Sequence, residues 1–109
     1  MLYTQKDIRE VKEIIQKVLN PEKIILFGSY ATGRINDGSD LDLMILVKDE
    51  LTRKEKRAML FSLRSLFFDN DFEVDLILNS INNFNAFKEY IGSIYYSASR
   101  DGKVLWTKN

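Results

Sequence analysis

Gly28-Ser29-Tyr30-Ala31-Thr32-Gly33-Arg34-Ile35-Asn36-Asp37-Gly38-Ser39-Asp40-Leu41-Asp42-Leu43 joins two apolar stretches and decides the fold. Before it, Ile24-Ile25-Leu26-Phe27 reads as a short buried strand. Glycine at the strand's end lets another group approach the backbone closely. Ser29 reads as the N-cap of a short helix running to about Gly33. Arg34 to Ser39, with its Asn, Asp, Gly and Ser, reads as a loop. Asp40 to Val47 is then a second strand, with Leu41, Leu43, Ile45 and Val47 on one face and Asp40, Asp42, Met44 and Leu46 on the other. Both faces are apolar beyond the aspartates, which predicts a central strand covered on both sides. Asp40 and Asp42 share a face, with Cα atoms about 6.6 Å apart at two strand rises.

Working outward, Thr4 and Asp7 form a capping box ahead of Ile8, Val11, Ile14, Ile15, Val18 and Leu19 at helical spacing, and Asn20-Pro21 stops that helix. Thr52 and Glu55 open a second amphipathic helix through Met59, Leu60, Leu63, Leu66 and Phe67. Phe72 to Leu78 is a third strand, with Glu73, Asp75 and Ile77 opposite Phe72, Val74, Leu76 and Leu78. A single last helix fits Asn82 to Ser97, burying Phe84, Phe87, Ile91, Ile94 and Tyr95, and Val104-Leu105-Trp106 closes the sheet. The alternation predicts one α/β (α+β) domain over residues 1–109, with a mixed sheet of about four strands and helices mainly on one face.

The chain has 109 residues, with 16 basic and 16 acidic side chains and zero net charge. A protein that grips long nucleic acid by its backbone carries a basic excess, so a long nucleic acid is not the expected partner. With no Cys and no His, thiolate zinc sites, Cys nucleophiles and the Ser-His-Asp arrangement are excluded. Catalysis must rest on carboxylates, hydroxyls, Lys, Arg and a bound ion. The N-terminus turns charged at once, and no apolar run approaches bilayer length. The expectation is a soluble, cytoplasmic protein without a membrane partner.

The Gly28-Ser29 turn opens a helix whose free N–H groups attract anions, and a triphosphate fits that description. The plainer alternative is a strand-to-helix turn with nothing bound. Asp40 and Asp42 on an apolar strand are costly to bury, and two close carboxylates repel. Salt bridges can offset this; a divalent cation does so directly. Asp75 is a further acid inside an apolar run. If the third strand lies beside the second, the three converge and can bind Mg²⁺ with substrate phosphates, the arrangement used for nucleotidyl transfer. Asp75 can also accept a hydroxyl proton; Glu73 is a spare candidate. Arg53, Lys54, Lys56 and Arg57 read as a solvated basic cluster or a docking patch for an acidic partner. Tyr90, Tyr95, Tyr96 and Trp106 read as core, or as an interface where exposed.

Gly28-Ser29, ten residues, then Asp40-x-Asp42 resembles the signature of the minimal nucleotidyltransferases of the DNA polymerase beta-like superfamily. The resemblance extends from the N-terminal helix to the closing Asp101-Gly102-Lys103-Val104-Leu105-Trp106 segment. It implies Asp40, Asp42 and Asp75 as metal ligands and catalytic acids, with Gly28 and Ser29 holding the β- and γ-phosphates of a nucleoside triphosphate. Many small members resemble the antitoxin half of HEPN–MNT toxin–antitoxin pairs, which implies transfer of AMP from ATP, with Mg²⁺, to a tyrosine of a HEPN toxin partner in a hetero-oligomer. A non-catalytic antitoxin acting by stoichiometric binding is the alternative; transfer to a small molecule or RNA end is a third. The family often has an arginine where this chain has Thr32. Arg34 is the substitute candidate for the triphosphate.

Overall fold

A computed structural model describes residues 2–36 and 38–108, so Asp37 of the quoted stretch and the two terminal residues lie outside it. In chain order the elements are α1 (Gln5–Val18), β1 (Lys23–Phe27), α2 (Ser29–Thr32), β2 (Leu41–Val47), α3 (Arg53–Asp69), β3 (Val74–Ser80), α4 (Ile81–Phe87), α5 (Ile94–Asp101) and β4 (Lys103–Thr107). Both expected capping boxes form. The Asp7 N–H donates to Thr4 Oγ1 at 3.1 Å and the Thr4 N–H to Asp7 Oδ2 at 2.8 Å. Thr52 and Glu55 repeat the exchange at 2.9 and 3.1 Å.

The strands make one mixed sheet in the order β3-β2-β1-β4. β1 runs antiparallel to both β2 and β4. β2 and β3 are parallel, which requires a crossover, supplied by α3. β2 is central, as its two apolar faces demand. Leu41, Leu43, Ile45 and Val47 face a core with Ile8, Val11 and Ile15 of α1 and Leu63 and Phe67 of α3. Met44 and Leu46 face a smaller core with Ile25, Phe84 of α4 and Ala98 of α5. The two long helices therefore cover one face, and two short ones cover part of the other. At α5's end, a Cβ on Gly102 would overlap the Ala98 carbonyl and Ile25, so only glycine lets α5 turn this tightly into β4.

The predicted single helix over 82–97 is corrected to two. Gly92 at φ +94° breaks the run, and Ser93 starts α5 by accepting the Tyr96 N–H at 3.1 Å. The apolar spacing continued across this break, so periodicity hid it. Of the residues expected to be buried there, Phe84 is buried and Tyr95 half-buried, whereas Phe87, Ile91 and Ile94 are exposed. β3 begins at Val74 rather than Phe72, leaving Glu73 before the strand.

Candidate active site

Asp42 is the second residue of β2 and Asp75 the second of β3, and the parallel register pairs them directly. Neighbouring strands lie about 4.8 Å apart, and paired residues project to one face. That face is the one bearing Met44 and Leu46, so the acids stand at the end of the smaller core. Asp40, half-buried, immediately precedes β2. Asp42 feels the other two acids. Burial, then the Asp75 charge, the Asp40 charge and a hydrogen bond with Asp75 push its carboxyl up to about 6. The register thus sets Asp75 beside Asp42, and Asp40 is near enough for its charge to act on Asp42. Glu73, the spare candidate, is exposed ahead of β3 and is not among the groups acting on Asp42.

Phe27, the last residue of β1, pairs with Asp42 on its other side. This brings Gly28 against the carboxylate. A side chain at Gly28 is barred twice: φ is +70°, and an added Cβ would overlap Asp42 Oδ2 and lie 2.9 Å from Cγ. Gly28 is the N-cap of α2, with no side-chain bond available; the expectation that Ser29 caps the helix is thereby corrected. The Gly28 carbonyl accepts from the N–H groups of Ala31 and Thr32 at 3.1 Å each. Ser29, half-buried, is the first residue inside the helix, and its hydroxyl is not used for capping.

Thr32, at the position where the resembled family often has an arginine, donates its hydroxyl back to the Gly28 carbonyl at 3.3 Å. Arg34 is an exposed loop residue just past the left-handed Gly33 that ends α2. The loop is held by its own polar groups: the Gly38 N–H donates to Asn36 Oδ1 at 3.0 Å and the Asn36 N–H to Ser39 Oγ at 3.0 Å.

A strap that sequence reading missed ties this turn to β3. The Tyr3 N–H donates to Tyr30 Oη of α2 at 2.9 Å, and the Glu73 N–H donates to Tyr3 Oη at 2.7 Å. The Tyr3 ring lies 5.9 Å from both Tyr30 and Phe72. Nothing local in the sequence signals contacts spanning 27 and 70 residues.

Hard oxygen donors on two adjacent strands suit Mg²⁺; burial first, and then the repulsion of Asp75 and Asp40, keep Asp42 protonated up to about 6, and the repulsive part is what a cation relieves. Among the described residues, no group of three such side chains is arranged to hold a metal ion. The donor set fits a metal completed by substrate oxygens. A hollow of about 580 Å³ lies at the far end of β2, by Leu19, Glu22, Val47 and Lys48, away from the acids. The carboxylates instead open onto the surface, where Asp75 is exposed. No described helix is long and apolar enough to cross a membrane.

The family described as "Polymerase beta, Nucleotidyltransferase" matches residues 9–109. A Methanocaldococcus jannaschii protein named "Putative protein adenylyltransferase" is 44% identical over 55 residues, 49% of this chain and 56% of that protein. The match thus spans about half the length of that relative. Among solved structures, a chain of a toxin–antitoxin with AMP-PNP superposes with a TM-score of 0.63 at 22% identity, covering 93% of this chain and 73% of the other. A chain of the tri-AMPylated Shewanella oneidensis HEPN toxin in complex with MNT antitoxin gives 0.57 at 21%, covering 95% and 72%. At such identity the likeness speaks for the fold.

Proposed function

From the premise that this chain belongs to the polymerase beta nucleotidyltransferase family, we propose that it transfers AMP from ATP to a hydroxyl of a partner protein, a tyrosine of a HEPN-type toxin, and so acts as that toxin's antitoxin in the cytoplasm. The observation that carries this reading is the in-register pair Asp42–Asp75 beside the bare backbone of Gly28. The names of the relatives support the choice of nucleotide and acceptor: one is called a protein adenylyltransferase, another is a complex with an AMPylated HEPN toxin.

Asp40, Asp42 and Asp75 would hold Mg²⁺, which supplies charge neutralisation for the triphosphate and for the phosphorus under attack. Gly28 admits the nucleotide's phosphates to the backbone, and the first N–H groups of α2 and the Ser29 hydroxyl orient them. The acceptor oxygen forms a bond to the α-phosphorus while the bond to the β-phosphate bridge breaks, and pyrophosphate leaves. Asp75, exposed at the rim, takes the hydroxyl proton. Arg34, exposed on its loop, would contact the outer phosphates.

Incubation with α-labelled ATP, Mg²⁺ and the neighbouring-gene product tests this. Label is expected on the partner with wild type and not with Asp42→Ala. No label in either overturns the enzyme reading. Thr32 favours a second reading, because its hydroxyl is turned to Gly28 and brings no positive charge to the phosphates. In that reading the chain neutralises its partner by occlusion, and Asp42→Ala still neutralises.

A further inference from the structure

The long helix α3 turns Met59, Leu60, Leu63 and Phe67 to the core. Its exposed surface carries Lys54, Arg57, Phe61, Arg64 and Phe68, spaced to form one stripe along the helix. Phe61 is 72% exposed and Phe68 82% exposed. The stripe is about 21 Å long at 1.5 Å per residue. Two bare phenylalanines one above the other on a charged helix mark a contact surface rather than chance exposure.

The charges on α3 run against its own dipole. Arg53 and Lys54 stand in the positive first turn, opposed only by Glu55. The other end has no basic residue in its last turn, closes on Asp69 and is followed by Asp71 and Glu73. Both ends are therefore locally unfavourable, and such a conflict is retained where another element relieves it. Phe68 also separates two shallow hollows, one bordered by Phe61, Arg64, Ser65 and Asp69 and one by Asp71, Phe72 and Glu73.

We propose that this face is a self-complementary interface, closed by a second copy of the chain whose α3 lies antiparallel across the Phe61–Phe68 stripe. A two-fold axis beside Ser65 places Phe61 of each copy against Phe68 of the other. The small Ser65 at the crossing lets the helices approach closely. The same rotation sets the basic start of each α3, with Arg57, beside the acidic end of the other, with Asp71 and Glu73. Arg64 faces Ser65 and reaches one turn along toward Asp69 of the other copy. The antiparallel dipoles and the misplaced charges are satisfied together. A nucleic-acid occupant fits less well, because the acidic end would repel phosphate and the chain carries no basic excess. The interface lies on the sheet face opposite Asp42 and leaves the carboxylates open.

Sedimentation velocity from low-micromolar to near-millimolar concentration tests the proposal without reference to catalysis. The wild type is expected to dimerise reversibly, more weakly at high salt. Phe68→Glu is expected to be monomeric with unchanged circular dichroism, since the side chain is exposed. Arg57→Glu and Glu73→Arg should each weaken the dimer about tenfold, and the double variant should recover it. A wild type monomeric throughout, a dimer indifferent to Phe68→Glu, or a monomer that instead binds an acidic peptide or an RNA oligonucleotide through this stripe overturns it. Loss of AMP transfer with the dimer intact would count against the catalytic reading alone.

Discussion

Gly28 lies so close to the carboxylate of Asp42 that an added Cβ would overlap its Oδ2. The contact exists because β1 pairs Phe27 with Asp42 and then turns away at the next residue. Gly28→Ala therefore meets both a steric conflict and a φ of +70°, a conformation that costs a non-glycine residue about 1–3 kcal/mol. The variant is expected to lose that much stability in urea unfolding. AMP transfer should fall about a hundredfold or more, because Asp42 must move from the ligand position. Unchanged transfer would show that the close approach has no catalytic purpose.

Asp42 works against the fold that holds it. Its folded carboxyl titrates at about 6, against 3.8 for the ordinary group. The folded state thus binds the proton more tightly, and stability from this group is fully present below about 3.8 and lost as pH rises through about 6. The full shift would be worth about 3 kcal/mol, but a half-exposed carboxyl is screened, which leaves about 1 kcal/mol. Asp42→Asn is expected to raise the metal-free melting temperature at pH 7.5 by about 4–8 °C. The gain should shrink on acidification to pH 4. Thermal melts in chelator at both pH values check this, and the same variant should be inactive.

Much of this was legible in the sequence because the signals were local. The Gly28-Ser29 turn, the Asp40-x-Asp42 spacing and the two capping boxes lie within a few residues each, and β2 announced its central place through apolar faces on both sides. The convergence of Asp75 depended only on β3 lying beside β2, and the register delivered it. Where the reading failed, the decisive contact was local but outvoted, or else remote. Gly92 and Ser93 broke a helix whose apolar spacing continued across them. Ser29 resembled a cap by residue type, but the cap position fell to Gly28, which the approach of Asp42 requires. The Tyr3 strap joins segments 70 residues apart and leaves no periodic trace.

Asp75 sets the proton affinity of its partner. After burial, its charge is the largest influence raising the Asp42 carboxyl. Asp75→Asn removes that charge and keeps the size, so Asp42 should titrate lower than in wild type by carbon-detected NMR. Transfer should fall about a hundred- to ten-thousandfold if Asp75 also receives the acceptor proton. An unmoved Asp42 titration would mean that the carboxylates do not share a field in solution. A moved titration with full activity would leave the site intact but take the proton-accepting role from Asp75.

Tyr3 separates positioning from packing. Its ring fills the space between Tyr30 and Phe72 at 5.9 Å from each, while its hydroxyl alone takes the Glu73 N–H at 2.7 Å. Tyr3→Phe keeps the ring and frees the backbone two residues before Asp75. The lost hydrogen bond is worth about 1 kcal/mol, roughly a fivefold effect if it is spent on placing Asp75. The expected outcome is a fall of that size in kcat and a higher Mg²⁺ concentration at half-maximal rate, with KM for ATP unchanged, since the Gly28 turn keeps its support from Tyr3 N–H and Tyr30. Tyr3→Ala should instead raise KM and lower the melting temperature, because the ring contacts go as well. Equal effects of the two variants on kcat and KM would reduce the strap to packing.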